Sequence, residues 1–491
     1  MQDWIASAPP EQVYFYKEHN DFPEFMPRTF EWFSGGSVPY YAGALAALGI
    51  RRGDRVAVHE HWDFTMVNLF WALARIGAVF VPLNTRLTDA ELHDQIRAAG
   101  CRFVLAARES LAIPGHTYLS LDPHNPRFPT LTPPHLLPRT AGDPYRTATL
   151  DLNAVAAVVF TSGTSGTPKA SQLTFGNFAA SAAASAERLG VRPDDRWLLC
   201  LPLYHVGGLS LVIRCAIQRT PFVLLDSGYT LDKIRQVLDT EPITHVSLVP
   251  TQLYRLLQSG FKPSPYLRLI LLGGAAASPE LLALAAEGGL PVATTYGLTE
   301  ACSQVATQMP DGVRRKPGSV GKPLSGTTVR VTDEHGQDQP PSQYGDIIVS
   351  GPTVMKGYIG QPETGGSFRT GDIGYLDAEG DLWLVQRRSD LIVSGGENVY
   401  PAEVEKVLRT HPAVADVCVV GIADAEWGQR VAAAVVLHPG LSLDADALIG
   451  FARTQLGGYK VPRKVLFLDA LPVTGSGKVQ RSRVRTLLEN R

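Results

Sequence analysis

The chain has 491 residues, enough for about three domains of ordinary size or for one large domain and a smaller one. Hydrophobic residues make up 45% and charged residues 19%, a balance that excludes extended disorder and indicates a folded, soluble protein. The formal net charge of −2 provides no overall field that would attract nucleic acid or an anionic membrane, so any binding of anions must be local.

The cysteines are widely spaced, odd in number and without a Cys-x-x-Cys pair, which argues against a zinc knuckle or a disulfide framework. They are Cys101, Cys200, Cys215, Cys302 and Cys418. The N-terminus has no basic stretch followed by an apolar core, and no apolar run approaches the roughly 18 residues of a membrane span. We therefore expect a cytoplasmic protein without a membrane span and without nucleic-acid partners, and leave open that it forms a homo-oligomer.

Short apolar runs along the first two thirds of the chain are each followed by turn residues and then by a helical pattern. The clearest runs are 154–160, 245–249 and 267–272. Strands that alternate with helices predict an α/β architecture with mainly parallel sheets. After about residue 320, shorter strands joined by polar turns, at 329–331 and within 371–384, predict antiparallel hairpins and a small β-barrel-like subdomain.

The last part of the chain has the pattern of a compact α+β unit. Pro401 opens a predicted helix, and two apolar runs follow at 417–420 and 432–437. We accordingly predict a large N-terminal domain over residues 1–386 and a small, mobile C-terminal domain over residues 387–491.

The strongest local motif is Thr-Ser-Gly-Thr-Ser-Gly-Thr-Pro-Lys at 161–169, directly after the predicted strand 154–160 and before a helix-compatible stretch. Its glycines allow backbone N–H groups to converge, its hydroxyls add donors and Lys169 adds charge, which together predict a polyphosphate site. It is not a Walker A loop, because Pro168 and Ala170 flank the lysine where that motif needs Gly and Ser or Thr.

Two further segments carry weaker signals on their own. At 294–300, Glu300 stands beside a hydroxyl and an aromatic residue at a predicted strand end, which suits Mg²⁺ on a phosphate and a covered nucleobase. Asp372 lies in a tight Thr-Gly-Asp turn and is placed to accept hydrogen bonds from ribose hydroxyls. When each segment is taken alone, an ordinary turn is the better explanation.

Near the C-terminus, Lys478 is flanked by flexible glycines, a pattern that suits a mobile cation brought to a developing negative charge. The alternative is a solvated basic tail, since arginines follow at several positions. For the charged and glycine-rich segment 387–398, a solvated, charged hairpin end is as good an interpretation as a functional one.

Together, and in this order, these segments resemble the adenylate-forming superfamily of acyl-CoA synthetases, peptide-synthetase adenylation domains and luciferases. The segments are TSGTSGTPK at 161–169, YGLTE at 296–300, TGD at 370–372, RRSDLIVSGGENVYPAEVE at 387–405 and GSGK at 475–478. The resemblance implies that a carboxylate attacks the α-phosphate of ATP to give an acyl-adenylate and pyrophosphate, and that a thiol such as that of CoA then displaces AMP.

The resemblance also implies roles for individual residues. Lys478 would bridge the reacting carboxylate and the α-phosphate, and Glu300 would bind Mg²⁺. The residues that it places at the nucleotide are Thr161, Ser162, Gly163, Thr164, Ser165, Gly166, Thr167 and Lys169 at the phosphates, Thr299 at a phosphate, Tyr296 at the adenine, Asp372 and Arg387 at the ribose, and Gly274 and Gly297. In this family the small domain rotates between the two steps about a hinge at the position of Ser389, and Ser394, Gly395 and Gly396 would line a tunnel for the CoA thiol arm.

Within the superfamily, the segments 195–210, 271–275 and 296–305 resemble o-succinylbenzoate–CoA ligases of menaquinone biosynthesis. Their substrate is an aromatic dicarboxylic acid, so the carboxylate that does not react needs a cation or a set of hydrogen-bond donors. Arg214 matches a basic position of these ligases, and a surface helix arginine is the alternative interpretation. Further candidates for the acid pocket are Ser303, Gln304 and His205, the histidine as a wall of the pocket that moves with the domains rather than as a general base.

Other interpretations remain open at this point. A different acyl- or aryl-CoA ligase, acting on a benzoate or a medium-chain fatty acid, would need an apolar pocket. A peptide-synthetase module would need a carrier domain, which we do not find. A non-catalytic adenylate sensor would have no need of Lys478.

Overall fold

The computed structural model describes residues 12–16, 27–29, 38–60, 63–121, 151–161, 168–225, 230–386, 391–472 and 479–490, and the structural statements below refer to these. The strands are β1 (Gln12–Tyr16), β2 (Pro27–Thr29), β3 (Arg55–His59), β4 (Val79–Pro82), β5 (Phe103–Ala106), β6 (Thr117–Ser120), β7 (Val155–Thr161), β8 (Lys169–Thr174), β9 (Trp197–Leu199), β10 (Phe222–Leu225), β11 (His245–Leu248), β12 (Leu269–Leu272), β13 (Val292–Leu298), β14 (Ser303–Gln308), β15 (Ser319–Pro323), β16 (Thr328–Thr332), β17 (Gly345–Ser350), β18 (Gly357–Tyr358), β19 (Ser367–Leu376), β20 (Leu382–Gln386), β21 (Ile392–Ser394), β22 (Glu397–Val399), β23 (Val414–Asp424), β24 (Gly428–Leu437) and β25 (Lys464–Phe467).

The helices begin and end as follows: α1 (Val38–Ala47), α2 (Asp63–Ile76), α3 (Asp89–Ala98), α4 (Phe175–Leu189), α5 (Val206–Gln218), α6 (Leu231–Thr240), α7 (Pro250–Gln258), α8 (Pro279–Glu287), α9 (Pro310–Arg315), α10 (Pro401–Leu408), α11 (Ala445–Arg453) and α12 (Arg481–Glu489). Short 3₁₀ turns add Glu109–Leu111 and Thr299–Ala301. Among the described helices, none has both the length and the apolar character that a membrane crossing requires.

The large sheet is mixed. Strands β1, β10, β9, β11, β12 and β13 lie side by side in parallel, and β13 then pairs antiparallel with β14. The sheet continues antiparallel through β15, β20, β19, β17 and β16. The region predicted as a small barrel is thus the far end of this sheet, joined to it where β15 pairs with β20.

A second sheet has the order β18-β8-β7-β4-β3-β5-β6, and a third, small sheet is formed by β22, β21, β24 and β23, with β25 parallel to β24. The largest buried cluster holds residues of both large sheets and of helices α1, α2, α4 and α5. The small sheet has its own core with α10 and α11. A large mixed α/β part and a small α+β part, as the sequence predicts, are therefore present.

The structure differs from the sequence-based expectation directly after the motif 161–169. The expected helix does not follow at once, because residues 169–174 form β8, which pairs antiparallel with β7 along the edge of β7 opposite to β4. Helix α4 begins only at Phe175, behind a capping box in which Thr174 and Asn177 bond each other's backbone N–H. The two ends of the phosphate motif, Thr161 and Lys169, are therefore paired on neighbouring antiparallel strands.

Candidate active site

A cavity of about 380 Å³ lies at the carboxyl ends of the parallel strands β9, β11, β12 and β13. Open α/β sheets bind their ligands at this edge, because the loops that leave the strands there converge. The loop between β21 and β22 covers the cavity from the small domain. The predicted residues that line the cavity are Thr161, His205, Arg214, Gly274, Tyr296, Gly297, Thr299, Glu300, Ser303, Gln304, Asp372, Gly395 and Gly396.

Arg214 lies on helix α5, and its side chain is turned inward rather than toward solvent. The residue is 3% exposed, and its Nη2 donates a hydrogen bond to Oε1 of Gln304 at 3.0 Å. No described residue accepts a hydrogen bond from its Nε. Burial lowers the pKa of Arg214 to about 10, so the guanidinium is still charged at neutral pH. A buried cation with a free N–H in a cavity is a receptor for an anionic group.

Behind Arg214, a stack of flat side chains fixes the position of the guanidinium. The guanidinium carbon lies 5.3 Å from the ring centroid of Trp197, and the other neighbour of this ring is His245, with centroids 4.7 Å apart. Burial lowers the pKa of His245 to about 4, which keeps its ring neutral. The nearby Asp195 is 2% exposed and pairs with Arg268. The cation is thus supported from the core of the large sheet.

Gln304 and Ser303 follow the 3₁₀ turn Thr299–Ala301 at the cavity edge. Gln304 uses both ends of its amide, since its Nε2 donates to Oγ1 of Thr307 at 3.0 Å. Both ends of its amide are therefore engaged, and its carbonyl oxygen holds Arg214. Ser303 has φ of 97°, and a Cβ at Gly297 would lie 2.0 Å from its carbonyl oxygen. The close approach of the two backbones requires glycine at 297. Ser303, in its left-handed conformation, lines the cavity.

The end of the cavity where the sequence predicts the nucleotide, here called the nucleotide end, contains a buried carboxylate and a buried phenol. Glu300 is 6% exposed, and its Oε1 accepts a hydrogen bond from the hydroxyl of Tyr358 at 2.5 Å. Tyr296 is 1% exposed, and its hydroxyl donates to Oδ2 of Asp372 at 2.5 Å. The Nζ of Lys169 lies 5.2 Å from the ring centroid of Tyr358 and does not line the cavity. Tyr358, to which no role was assigned from the sequence, thus contacts both Glu300 and Lys169.

The donor set at this end fits a magnesium ion. Mg²⁺ prefers hard oxygen ligands and is commonly held by one or two carboxylates together with substrate phosphates. Glu300 and Thr299 both line this end of the cavity, so a carboxylate and a hydroxyl are present there for such an ion.

The small domain contributes a carboxylate to the outer end of the cavity. Glu397 is 5% exposed; its Oε2 lies 3.0 Å from Nε2 of His205, and its Oε1 lies 3.0 Å from Nη1 of Arg86. Burial alone would raise the pKa of Glu397, but His205 and Arg86 hold it below its ordinary value. Gly395 and Gly396 have φ of 59° and 84°, and a Cβ at 396 would lie 3.1 Å from Val249. The loop fits against the large domain only with glycines there.

Comparison with known proteins agrees with this arrangement. Residues 37–359 match the family described as "AMP-binding enzyme", and residues 403–478 match the AMP-binding enzyme C-terminal domain. The chain belongs to the AMP-binding enzyme family. A 2-succinylbenzoate–CoA ligase of Bacillus mycoides (strain KBAB4) is 39% identical over 454 residues, which are 91% of each chain.

Two solved structures of o-succinylbenzoate CoA synthetase from Bacillus subtilis are similar to this AMP-binding enzyme. A double mutant bound with its product analogue OSB-NCoA superposes with a TM-score of 0.85, at 35% identity, covering 98% of this chain and 95% of that one. The complex with the acyl-adenylate intermediate OSB-AMP superposes with a TM-score of 0.71, at 34% identity and 98% coverage of both chains.

Some residues predicted for this AMP-binding enzyme lie outside the described part of the chain, and their roles stay predictions. They are Ser162, Gly163, Thr164, Ser165, Gly166, Thr167, Arg387, Ser389 and Lys478. Ser394 ends β21 and does not line the cavity. The sequence analysis gave no role to Arg86, Trp197 or Glu397. Glu397 and Trp197 lie within the recognised segments 387–405 and 195–210, which are usable signals, whereas Arg86 carries none.

Proposed function

We propose that this AMP-binding enzyme is an ATP-dependent acid–thiol ligase that converts 2-succinylbenzoate, ATP and CoA to 2-succinylbenzoyl-CoA, AMP and pyrophosphate. The observation that carries the proposal is the buried Arg214, 3% exposed, at the inner end of the cavity. Burying a charge in an otherwise apolar region is costly unless an anion compensates it. An acid with a single carboxylate would leave this guanidinium without an ion partner, whereas 2-succinylbenzoate supplies a second carboxylate.

In the first step, the residues at the nucleotide end bind ATP and the acid is activated as an acyl-adenylate. We assign the phosphates to Thr161, to the loop 162–167 and to Lys169, with Thr299 at a phosphate. Asp372 and Arg387 would hold the ribose, Tyr296 the adenine, and Lys478 would stabilise negative charge between the acid and the α-phosphate. Magnesium, held by Glu300, would neutralise phosphate charge.

In the second step, the thiol of CoA attacks the acyl carbon and AMP leaves. We assign the path of the thiol arm to the loop 394–396, both of whose glycines line the cavity. His205 would form a wall of the pocket. We place the domain boundary after Gln386, the last residue of β20, because β20 is the last strand of the large sheet along the chain. We place the hinge at Ser389.

We also propose that the enzyme works in the cytoplasm. Its five cysteines are all free and buried, which suits a reducing compartment. The partners implied are small molecules, namely the carboxylic acid, ATP and CoA.

The experiment is a pyrophosphate-release assay with ATP, Mg²⁺ and CoA across a panel of acids. The panel pairs 2-succinylbenzoate with benzoate, which lacks the second carboxylate, and with octanoate, which is apolar. We expect kcat/KM to be roughly 100-fold higher for 2-succinylbenzoate, the size typical of pairing a buried charge. Equal or higher values for benzoate or octanoate would instead assign a different acyl- or aryl-CoA ligase, and no release with any acid would support a non-catalytic sensor.

A further inference from the structure

The two domains also meet beside the outer end of the cavity, where Arg86 borders both contacts. There the docking segment, residues 455–460 of the small domain, lies against residues 86–91 at the start of α3. Oε1 of Glu91 accepts a hydrogen bond from Nζ of Lys460 at 2.7 Å, and its Oε2 accepts one from the backbone N–H of Gly457 at 3.0 Å. A single carboxylate of the large domain therefore receives two donors from the small domain.

Lys460 is buried in this contact, at 4% exposure. Its Nζ also lies 2.6 Å from Oε1 of Glu403, which belongs to the same domain as the lysine. Burial lowers the pKa of Lys460, but the carboxylates of Glu403 and Glu91 outweigh burial and raise it above its ordinary value. Both ion pairs stabilise the buried ammonium, yet only the pair with Glu91 depends on contact between the domains.

The contact is also matched in shape. A Cβ at Gly457 would lie 2.8 Å from the carbonyl oxygen of Arg86, closer than side chains approach backbone atoms. Tyr459 packs against apolar clusters of both domains. The domains thus approach closely at this point through residues that carry no charge, in addition to the ion pair.

Glu91 is held in place before the domains meet. It is the third residue of α3, and its Oε2 accepts a hydrogen bond from the backbone N–H of Thr88 at 2.9 Å, completing a capping box. Its position is therefore set by its own helix, so less side-chain freedom is lost when the small domain docks.

We propose that Glu91, Gly457 and Lys460 are positioning residues for the thioester-forming step, because they hold the small domain where residues 395–397 line the cavity. This inference rests on the proposed two-step function. The arrangement superposes better on the product-analogue complex of the Bacillus subtilis enzyme, with a TM-score of 0.85, than on its acyl-adenylate complex, with 0.71. None of the three residues lines the cavity, so adenylate formation does not need their contacts.

The test variant is Glu91→Gln. Glutamine also completes a capping box, so α3 keeps its N-terminus while Lys460 loses its cross-domain ion pair. The first half-reaction is followed as ATP–pyrophosphate exchange with 2-succinylbenzoate, and the second as single-turnover thioester formation when CoA is added to the preformed acyl-adenylate. Amide hydrogen exchange of the peptide that contains Gly457 reports docking directly and needs no substrate.

A second variant and a control separate docking from stability. Gly457→Ala leaves every charge in place and introduces the clash with the Arg86 carbonyl. Glu403→Gln removes the other carboxylate of Lys460 without touching the large domain. All three variants carry the full chain, and their unfolding midpoints are compared with that of the unchanged protein.

For Glu91→Gln and Gly457→Ala we expect thioester formation to fall roughly tenfold and adenylate formation to change less than about twofold. Amide exchange at position 457 should become roughly tenfold faster. Glu403→Gln should leave the ratio of the two half-reactions unchanged. Three results would overturn the proposal: unchanged exchange at position 457, an equal fall in both half-reactions, or a change in the ratio of the half-reactions in Glu403→Gln as large as that in Glu91→Gln. Failure of the proposed function would show separately, as an unchanged protein that forms no adenylate, while the exchange measurement would still decide whether Glu91 docks the domain.

Discussion

At the inner end of the cavity the described partners of Arg214 come from the large domain, whereas at the outer end Glu397 belongs to the small domain and its described partners to the large one. The inner end is supported by one continuous core, in which Trp197 lies between Arg214 and His245. The outer end exists only while the two domains touch. Under the proposed function, acid recognition therefore belongs to a region within one domain, and the thioester step to an interface between two domains.

The largest effect is expected from Arg214→Met, which removes the inner cation and keeps most of its volume. We expect kcat/KM for adenylation of 2-succinylbenzoate to fall roughly 100-fold or more, because the free carboxylate then has no ion partner, while the value for benzoate stays the same. The measurement is ATP–pyrophosphate exchange with each acid. The matched control is Arg219→Gln, an exposed arginine just after the same helix. An equal loss with both acids would mean that Arg214 serves the fold rather than acid recognition.

A smaller effect is expected at the outer end, from Glu397→Gln. The buried carboxylate bonds both His205 and Arg86, so its loss should slow single-turnover thioester formation roughly tenfold and leave adenylation nearly unchanged. Arg86→Gln, at the partner whose side chain is 56% exposed, should cost only about twofold, since water screens exposed ion pairs. If the adenylation rate fell as much as the thioester rate, the contrast between the two ends would not hold.

A further difference should appear in the pH dependence of stability. His245 has a pKa of about 4 in the folded protein and 6.5 as its ordinary value, so between these values the unfolded chain binds the additional proton. Stability attributable to the neutral ring is complete above pH 6.5 and is lost as the pH falls toward 4, by about 1 kcal/mol between pH 6 and pH 5. Urea unfolding at several pH values measures it. In His245→Asn the curve should be flatter in this window, and an unchanged slope would show that His245 is not the group responsible.

The smallest effect is expected for thiol reactivity at the inner end. Burial raises the pKa of Cys200 and that of Cys215 to about 12, so neither forms the reactive thiolate near neutral pH. Alkylation followed by mass spectrometry should find both thiols unmodified in the native protein. In the Glu91→Gln variant Cys215 should stay unmodified as well, because it lies in a buried cluster of the large domain and does not line the cavity. Labelling that increases when the small domain is released would show that the inner end also depends on the interface.

Much of the site could be predicted from the sequence because its motifs are local. The segment 296–300 and Asp372 carry their chemistry within a few residues, and the structure brings both to the cavity. The hairpin at β7 and β8 could not be predicted in the same way. Residues 169–174 form a strand between β7, which is near in the chain, and β18 at residues 357–358, a distant partner that no local pattern indicates.

The sequence by itself determined the alternation of strands and helices, the order of the glycine-rich motifs and the family they resemble, since these depend on residues close together in the chain. Only the tertiary structure decided that Arg214 is buried against Trp197, that Glu397 meets Arg86 across 311 positions, and that Lys460 meets Glu91 across 369. The physical reason is that the local fold of a segment does not determine which distant residue its charged side chain pairs with. Its partners are set by which surfaces the cores bring together, and two domains with separate cores settle that only when they dock.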